Sequence, residues 1–324
     1  MNDPESPMSD NETYDANLAE AHVQLLEDKP VSKEESRSAR EATLKLKQRI
    51  REKKIQMGRP VSPDVETLRQ GNVVEDDATL IHEFHGKLIT LHPGNIVRKS
   101  SRAIGLHEAD ALRVASEAGL PAPRSHGTNV TPDGRNQIFM SYIEGQTLSA
   151  IWTELSTEEK RSYAKQLQQI LKAMRAVPPP ADGYIGSCDG KMIREARMYM
   201  SYRAPACYGE EQFNHHLIAS VHPELPQAIV KALAGRLEKM PKHRVVLTHC
   251  DLAPRNIMVK DGKITGLVDW ADAGWYPEYW EYVKFFQRRA AMERDWPAYS
   301  SDIFPCEYPD ELVDYIAVSA YHAM

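Results

Sequence analysis

The chain has 324 residues, 42% hydrophobic and 27% charged, a composition that supports a sizeable buried core and excludes disordered, collagen-like and disulfide-scaffold classes. Forty Lys plus Arg against forty-six Asp plus Glu leave a formal charge of -6, too mild for a dedicated nucleic-acid binder and ordinary for an enzyme of small molecules. No run reaches the roughly eighteen apolar residues of a membrane span, the first residues are acidic and polar, and the four cysteines lack C-x-x-C spacing; a reducing, cytoplasmic setting with no membrane and no disulfide framework is expected.

Residues 1–75 read as an extension. Residues 1–30 carry eight acids and one Lys with few core-forming residues, the pattern of a disordered segment. Ser32–Gly58 carries nine bases and four acids on good helix formers and stops at Gly58 and Pro60. Its thin apolar stripe (Ala39, Leu46, Ile50, Met57) suits weak docking on the main body better than a partner-binding or nuclear-import role.

From Thr79 the pattern changes to short strands. TLIHEFH, LITLHP and NIVRKS form a three-strand meander, with turns at Gly86 and Pro93-Gly94. In LHEADALRVASEAG, Leu106, Ala109, Leu112 and Ala115 or Ser116 share a helix face, and Gly119 ends the helix ahead of Pro121. RSHGTNV and NQIFMSYI pair around Pro132-Asp133-Gly134. Residues 76–143 are therefore expected to form a small antiparallel lobe of five strands, with one helix between the third and fourth.

Residues 144–324 read as mainly helical. Ser156 and Glu159 form a capping box ahead of Tyr163, Leu167, Ile170, Leu171 and Met174, and Pro178 to Pro180 end that helix. Residues 181–242 are less legible, apart from an amphipathic helix over Pro226–Met240 with Pro226 in its first turn. Further on, Val245–Thr248, Ile257–Val259 and Ile264–Val268 read as strands, the last two joined by the two-residue hairpin Asp261-Gly262.

The charged residues of this last segment sit between strands, where chemistry is usually placed. His249, Asp251 and Asn256 share one loop, and Asp269 follows eighteen residues after Asp251. Two carboxylates and an amide at the ends of one β unit suit phosphoryl transfer: one carboxylate orients the attacking hydroxyl and accepts its proton, while the other and the amide oxygen hold Mg2+ on the phosphates of ATP. The string H-x-D-L-x-x-x-N followed by hairpin, strand and Asp has the spacing of the protein-kinase-like catalytic and metal loops. Taken singly, Asp251 and Asn256 are also plausible loop caps and Asp269 a helix cap.

A phosphate site needs a cation and an acid to place it. Lys99 ends the third strand and Glu108 lies nine residues on, near the start of the next helix, so the two can pair across the gap. Arg98 is an adjacent candidate, but alternation sends it to the other face of the strand. The linker Phe139-Met140-Ser141-Tyr142-Ile143 joins the two lobes, and backbone groups there, at Ser141 and Tyr142, can read an adenine edge.

These motifs resemble the aminoglycoside phosphotransferase and choline kinase-like superfamily, in particular its fungal-type phosphotransferase enzyme family proteins. The matching residues are EADALR (108–113), LPAP (120–123), FMSYIEGQTL (139–148), THCDLAPRNIMV (248–259), GLVDW (266–270) and AGWYPEYWEYVK (273–284). The resemblance implies a bilobal α+β protein-kinase-like fold transferring the γ-phosphoryl group of ATP to a small-molecule hydroxyl. It also implies Asp251 as the catalytic base, Asn256 and Asp269 as Mg2+ ligands, Lys99 as the phosphate anchor with Glu108 as its partner, and His249 as a brace. Cys250 stands where the family usually has Gly, Ala271-Asp272 replaces its Glu-aromatic pair, and Gly86 is the one glycine between Ile81 and Leu91, so no Gly-rich phosphate loop is evident.

Two rivals remain. A protein kinase is disfavoured by Ala253 in place of Lys, by Asp-Trp in place of Asp-Phe-Gly, and by only about ten residues between Asp269 and an aromatic helix starting near Tyr279. A catalytically silent nucleotide-binding scaffold is disfavoured by the presence of all five polar positions. For the acceptor, Asp272, Glu278 and Glu281 can attract a cationic amino sugar or choline-like group, with Trp275, Tyr276, Tyr279 and Trp280 packed on it. The alternative places that aromatic cluster in the core.

Overall fold

The computed structural model describes residues 78–84, 86–196, 201–287 and 295–321. Residues 74–324 form one compact unit. The disordered segment and charged helix expected before Gly58 lie outside the described residues.

The small lobe is a five-stranded antiparallel sheet built from β1 (Thr79–Phe84), β2 (Lys87–His92), β3 (Ile96–Ser101), β4 (Ser125–Val130) and β5 (Asn136–Ser141), in the order β1-β2-β3-β5-β4. Helix α1 (Glu108–Glu117) lies between β3 and β4 in sequence, as expected. Its buried residues are Glu108, Ala111, Leu112 and Ala115, so the helical period carries a carboxylate on the same stripe as the apolar residues. On β3 the period of two buries Val97, Lys99 and Ser101 and leaves Arg98 on the opposite face.

The chain leaves β5 and adds the short β6 (Gln146–Thr147) to the hairpin of β12 (Ile257–Lys260) and β13 (Lys263–Leu267), so the inter-lobe link runs directly to the segment that carries the predicted catalytic residues. Asp261 (φ 49°) and Gly262 (φ 74°) make the two-residue turn, both in the left-handed region that such a hairpin requires. After α2 (Leu148–Ile151) comes the long helix α3 (Thr157–Ala176), opened by the Ser156/Glu159 capping box. It presents Tyr163, Ala164, Leu167, Leu171 and Met174 to the core, and its Gln166 side chain clasps the hairpin, donating to the Gly262 carbonyl and accepting from the Ile264 amide.

The stretch 181–242 holds more strand than the sequence indicates. It contains β7 (Tyr184–Ser187), β8 (Met192–Ala196), β9 (Ser201–Pro205), β10 (Cys207–Tyr208) and the helices α4 (Glu210–Ala219) and α5 (Gln227–Leu237), with Pro226 capping α5 from just outside. β7 joins β11 (Val245–Thr248) and β14 (Gly274–Pro277) in a four-stranded sheet ordered β10-β7-β14-β11. A Cβ at Gly274 would stand 2.2 Å from the carbonyl oxygen of Gly186, so this pairing depends on glycine. Helices α6 (Trp280–Gln287), α7 (Ser300–Ile303) and α8 (Pro309–Ser319) complete the large lobe. Its core is aromatic: Trp280 meets Phe213 edge-on at 4.8 Å and Tyr315 at 5.2 Å, and Trp152 meets Trp296 at 5.0 Å. Among the described residues no helix is long and apolar enough to cross a membrane.

Candidate active site

Strand β3 delivers Lys99 and the first turn of α1 delivers Glu108 to the same buried point. The Lys99 Nζ donates to both carboxylate oxygens of Glu108, at 2.9 and 2.7 Å, and to Asp269 Oδ1 at 2.6 Å. Lys99 and Glu108 expose only 4% and 1% of their surface. Burial opposes the charged form of Lys99, yet the two carboxylates hold its ammonium above the ordinary lysine value. Burial lifts the Glu108 carboxyl above its ordinary range, with Lys99 acting against that shift. Desolvation works against the charged form of Asp269 too, but its side chain keeps 37% of its surface open and Lys99 holds the carboxyl well below the usual range.

Asp251 lies in the loop after β11, and both of its oxygens are engaged. Asn256, at the end of the short 3-10 turn Pro254–Asn256, donates its Nδ2 to the Asp251 carbonyl at 2.9 Å and to Oδ2 at 2.8 Å. With Nδ2 turned to Asp251, the amide oxygen Oδ1 faces away from it. Arg255 donates from Nη2 to Asp251 Oδ1 at 2.5 Å. The Val268 amide donates to the Asn256 carbonyl at 2.9 Å, which ties this loop to the residue before Asp269.

His249 is fully buried and sits across the same junction. Its Nδ1 accepts from the Asp251 amide at 3.3 Å and its Nε2 lies 3.1 Å from the Val268 carbonyl, which assigns the ring proton to Nε2. Burial holds the ring below the ordinary histidine value and keeps it neutral, as that tautomer requires. Trp270 packs edge-on against the ring at 4.7 Å.

Glu281, considered from sequence as part of an acceptor pocket, faces inward. Its two oxygens accept from the backbone amides of His249, at 2.6 Å, and Cys250, at 3.0 Å. Burial pushes its carboxyl up to about 7, and the two amide bonds pull the other way. Glu278 pairs with Arg244 at 2.9 Å, and Asp272 lies 4.0 Å from Arg194. Trp275, Tyr276, Tyr279 and Trp280 are 4%, 0%, 1% and 0% exposed, so the aromatic cluster is core and offers no face to a cationic ligand. The sequence carries no local signal for the Glu281 contact, which spans 31 and 32 residues. Arg255 carried a readable one, an i,i+4 spacing from Asp251 across a Pro-initiated turn.

At the inter-lobe linker the Ser141 amide donates to the Arg124 carbonyl at 2.9 Å and the Tyr142 amide to the Asn95 carbonyl at 2.8 Å. The Ser141 hydroxyl accepts from the Arg124 amide at 2.8 Å. What the backbone of these two residues can still offer an adenine edge is carbonyl oxygen.

Residues 92–304 match the phosphotransferase enzyme family (APH). The chain belongs to the phosphotransferase enzyme family. Its fold is similar to that of a thermostable mutant of the aminoglycoside phosphotransferase APH(4)-Ia, solved as a ternary complex with AMP-PNP and hygromycin B. That match has 16% identity and a TM-score of 0.54, covering 79% of this chain and 88% of that one. An aminoglycoside-3'-phosphotransferase of type VIII matches at 17% identity and a TM-score of 0.51, over 78% of this chain and 97% of that one. No curated protein sequence matches significantly. The bilobal α+β kinase-like fold expected from the sequence is thus the fold of the phosphotransferase enzyme family.

The donor set of this family member suits a hard divalent cation. Asn256 Oδ1 and the part-exposed Asp269 carboxylate are oxygen donors that could hold such an ion, and among the described residues no cluster of three or more His, Cys, Asp or Glu forms a closed cage. An open pair of this kind would fit Mg2+, which keeps several waters and phosphate oxygens among its ligands.

Proposed function

We propose that the chain is an ATP-dependent kinase of a small molecule, moving the γ-phosphoryl group to an acceptor hydroxyl. The observation that carries this is the meeting of Lys99, Glu108 and Asp269 within 2.6–2.9 Å, from three segments spread over 170 residues. Lys99 anchors the triphosphate, and Glu108 and α1 fix the lysine. Asn256 and Asp269 hold Mg2+, which when bound neutralises phosphate oxygens. Asp251 accepts the hydroxyl proton as the acceptor oxygen bonds to the γ-phosphorus; the bond to the β-phosphate oxygen breaks and ADP leaves.

The APH(4)-Ia mutant binds AMP-PNP and hygromycin B together, a pairing of nucleotide and small molecule that this reading extends to the present chain. The near-neutral charge supports a small acceptor over nucleic acid, and the free cysteines suit the reducing cytoplasm. Between Asp269 and α6 the chain is occupied by β14, which weighs against a protein-kinase activation segment.

The test is magnesium-dependent ADP release across a set of hydroxylated small molecules, with AMP-PNP binding measured beside it. Asp251→Ala should lose about 10²–10⁴-fold in turnover and keep nucleotide binding. Equal turnover in both proteins would remove Asp251 from the chemistry, and binding without any turnover in the wild type would favour the silent scaffold.

A further inference from the structure

Phosphoryl transfer spreads negative charge over the equatorial oxygens of the moving group, and catalysis consists largely of aiming fixed positive charge at them. Lys99 is poorly placed to supply all of it. An ammonium has three N–H donors, and those of Lys99 meet three carboxylate oxygens at 2.9, 2.7 and 2.6 Å. A second cation touches the proposed base directly. Arg255 contacts Asp251 Oδ1 through Nη2 at 2.5 Å, and its side chain keeps 38% of its surface open.

The guanidinium has five N–H donors in a rigid fork, and the contact with Asp251 uses one of its two terminal nitrogens. Asp251 needs no help to be oriented, because Asn256 already holds its Oδ2 at 2.8 Å and its carbonyl at 2.9 Å. Pro254 starts the turn that raises Arg255 beside the carboxylate, and Ala253, Pro254 and Asn256 around it are buried. The outcome is a cation on a rigid mount, touching the group that receives the acceptor proton and holding spare donors.

Resting on the phosphotransferase reading above, we propose that Arg255 is a catalytic residue that bridges Asp251 and the transferring γ-phosphoryl group. The acceptor oxygen bonds to phosphorus, the bond to the β-phosphate oxygen breaks with its electron pair going to ADP, and the acceptor proton passes to Asp251. Arg255 keeps its protons throughout and meets the charge that develops on the equatorial oxygens.

The experiment uses the full chain with Mg·ADP, with and without aluminium fluoride, a planar mimic of the moving phosphoryl group, so it needs no identified acceptor. In the wild type aluminium fluoride should tighten ADP binding; Arg255→Ala should erase about 10²-fold of that gain and slow magnesium-dependent ATP hydrolysis comparably. Binding of Mg·ADP alone should change by less than about three-fold, and Arg255→Lys should recover part of the gain, since a point charge replaces a fork. Full retention of the gain in Arg255→Ala overturns the proposal, as does a wild type that binds Mg·ADP but gains nothing from aluminium fluoride. A wild type that binds no Mg·ADP removes the phosphotransferase reading itself.

Discussion

Two residues at the proposed active site hold backbone shapes that L-amino acids avoid: Cys250 at φ 68° and Asp269 at φ 62°. The left-handed region costs a residue with a Cβ about 1–2 kcal/mol, and such strain collects where a functional side chain must be aimed. The turn at position 250 comes directly after the two amides that Glu281 holds and sets the direction in which the chain runs on to Asp251. Glycine, the residue that the resembling family usually has there, would carry this shape without strain, whereas the buried thiol recovers part of the cost through packing. Cys250→Gly should therefore unfold within about 1 kcal/mol of the wild type and keep its turnover, because relieved strain and lost burial offset each other. Cys250→Val should lose more than about 2 kcal/mol, since a β-branched side chain is least tolerant of positive φ. Urea unfolding of the three proteins decides it; equal stabilities for Gly and Val would mean that the backbone shape is not the controlling feature.

Between elements, the His249–Asn256 loop is held by α6 through Glu281. The carboxyl titrates near 7 in the fold against an ordinary 4.5, so between these values the folded chain binds more protons than the unfolded one. Stability from this group is therefore greatest below about pH 4.5 and declines as pH rises through 7, by up to about 3 kcal/mol. Glu281→Gln should flatten that slope and also lower stability at pH 5, because its amide nitrogen would face a backbone N–H with no acceptor between them. Urea midpoints of both proteins at pH 5 and pH 7.5 read both effects; an unchanged slope would show that Glu281 is ionised throughout. Elements fixed by local chemistry, such as the Ser156/Glu159 cap and the Asp261-Gly262 hairpin, were legible in the sequence. β7 to β10 were not, because strands of two to five residues carry little periodicity and β7 reaches β14 through a glycine contact between residues 88 apart.

At the scale of the whole molecule, Lys99 joins the small lobe to the large one, since its partners Glu108 and Asp269 come from opposite sides of the inter-lobe link. Lys99 and Glu108 were legible through their nine-residue spacing, while the closure of Asp269 onto the pair depends on how β13 meets the small lobe, where the Leu267 amide donates to the Pro121 carbonyl at 2.7 Å. A buried ion pair is an expensive route to stability: desolvation of two charges can exceed their attraction, and the cost becomes visible when one partner is removed. Lys99→Met leaves the Glu108 carboxylate 1% exposed and unpaired and should destabilise by about 3–5 kcal/mol; Asp269, part-exposed, can hydrate instead. Lys99→Met with Glu108→Met removes both charges and should recover most of that loss, to within about 1–2 kcal/mol of the wild type. Neither variant should bind AMP-PNP as the wild type does. Recovery of stability without recovery of nucleotide binding is the signature of a pair kept for phosphate chemistry. A double variant as unstable as the single one would instead make the pair a structural tie between the lobes.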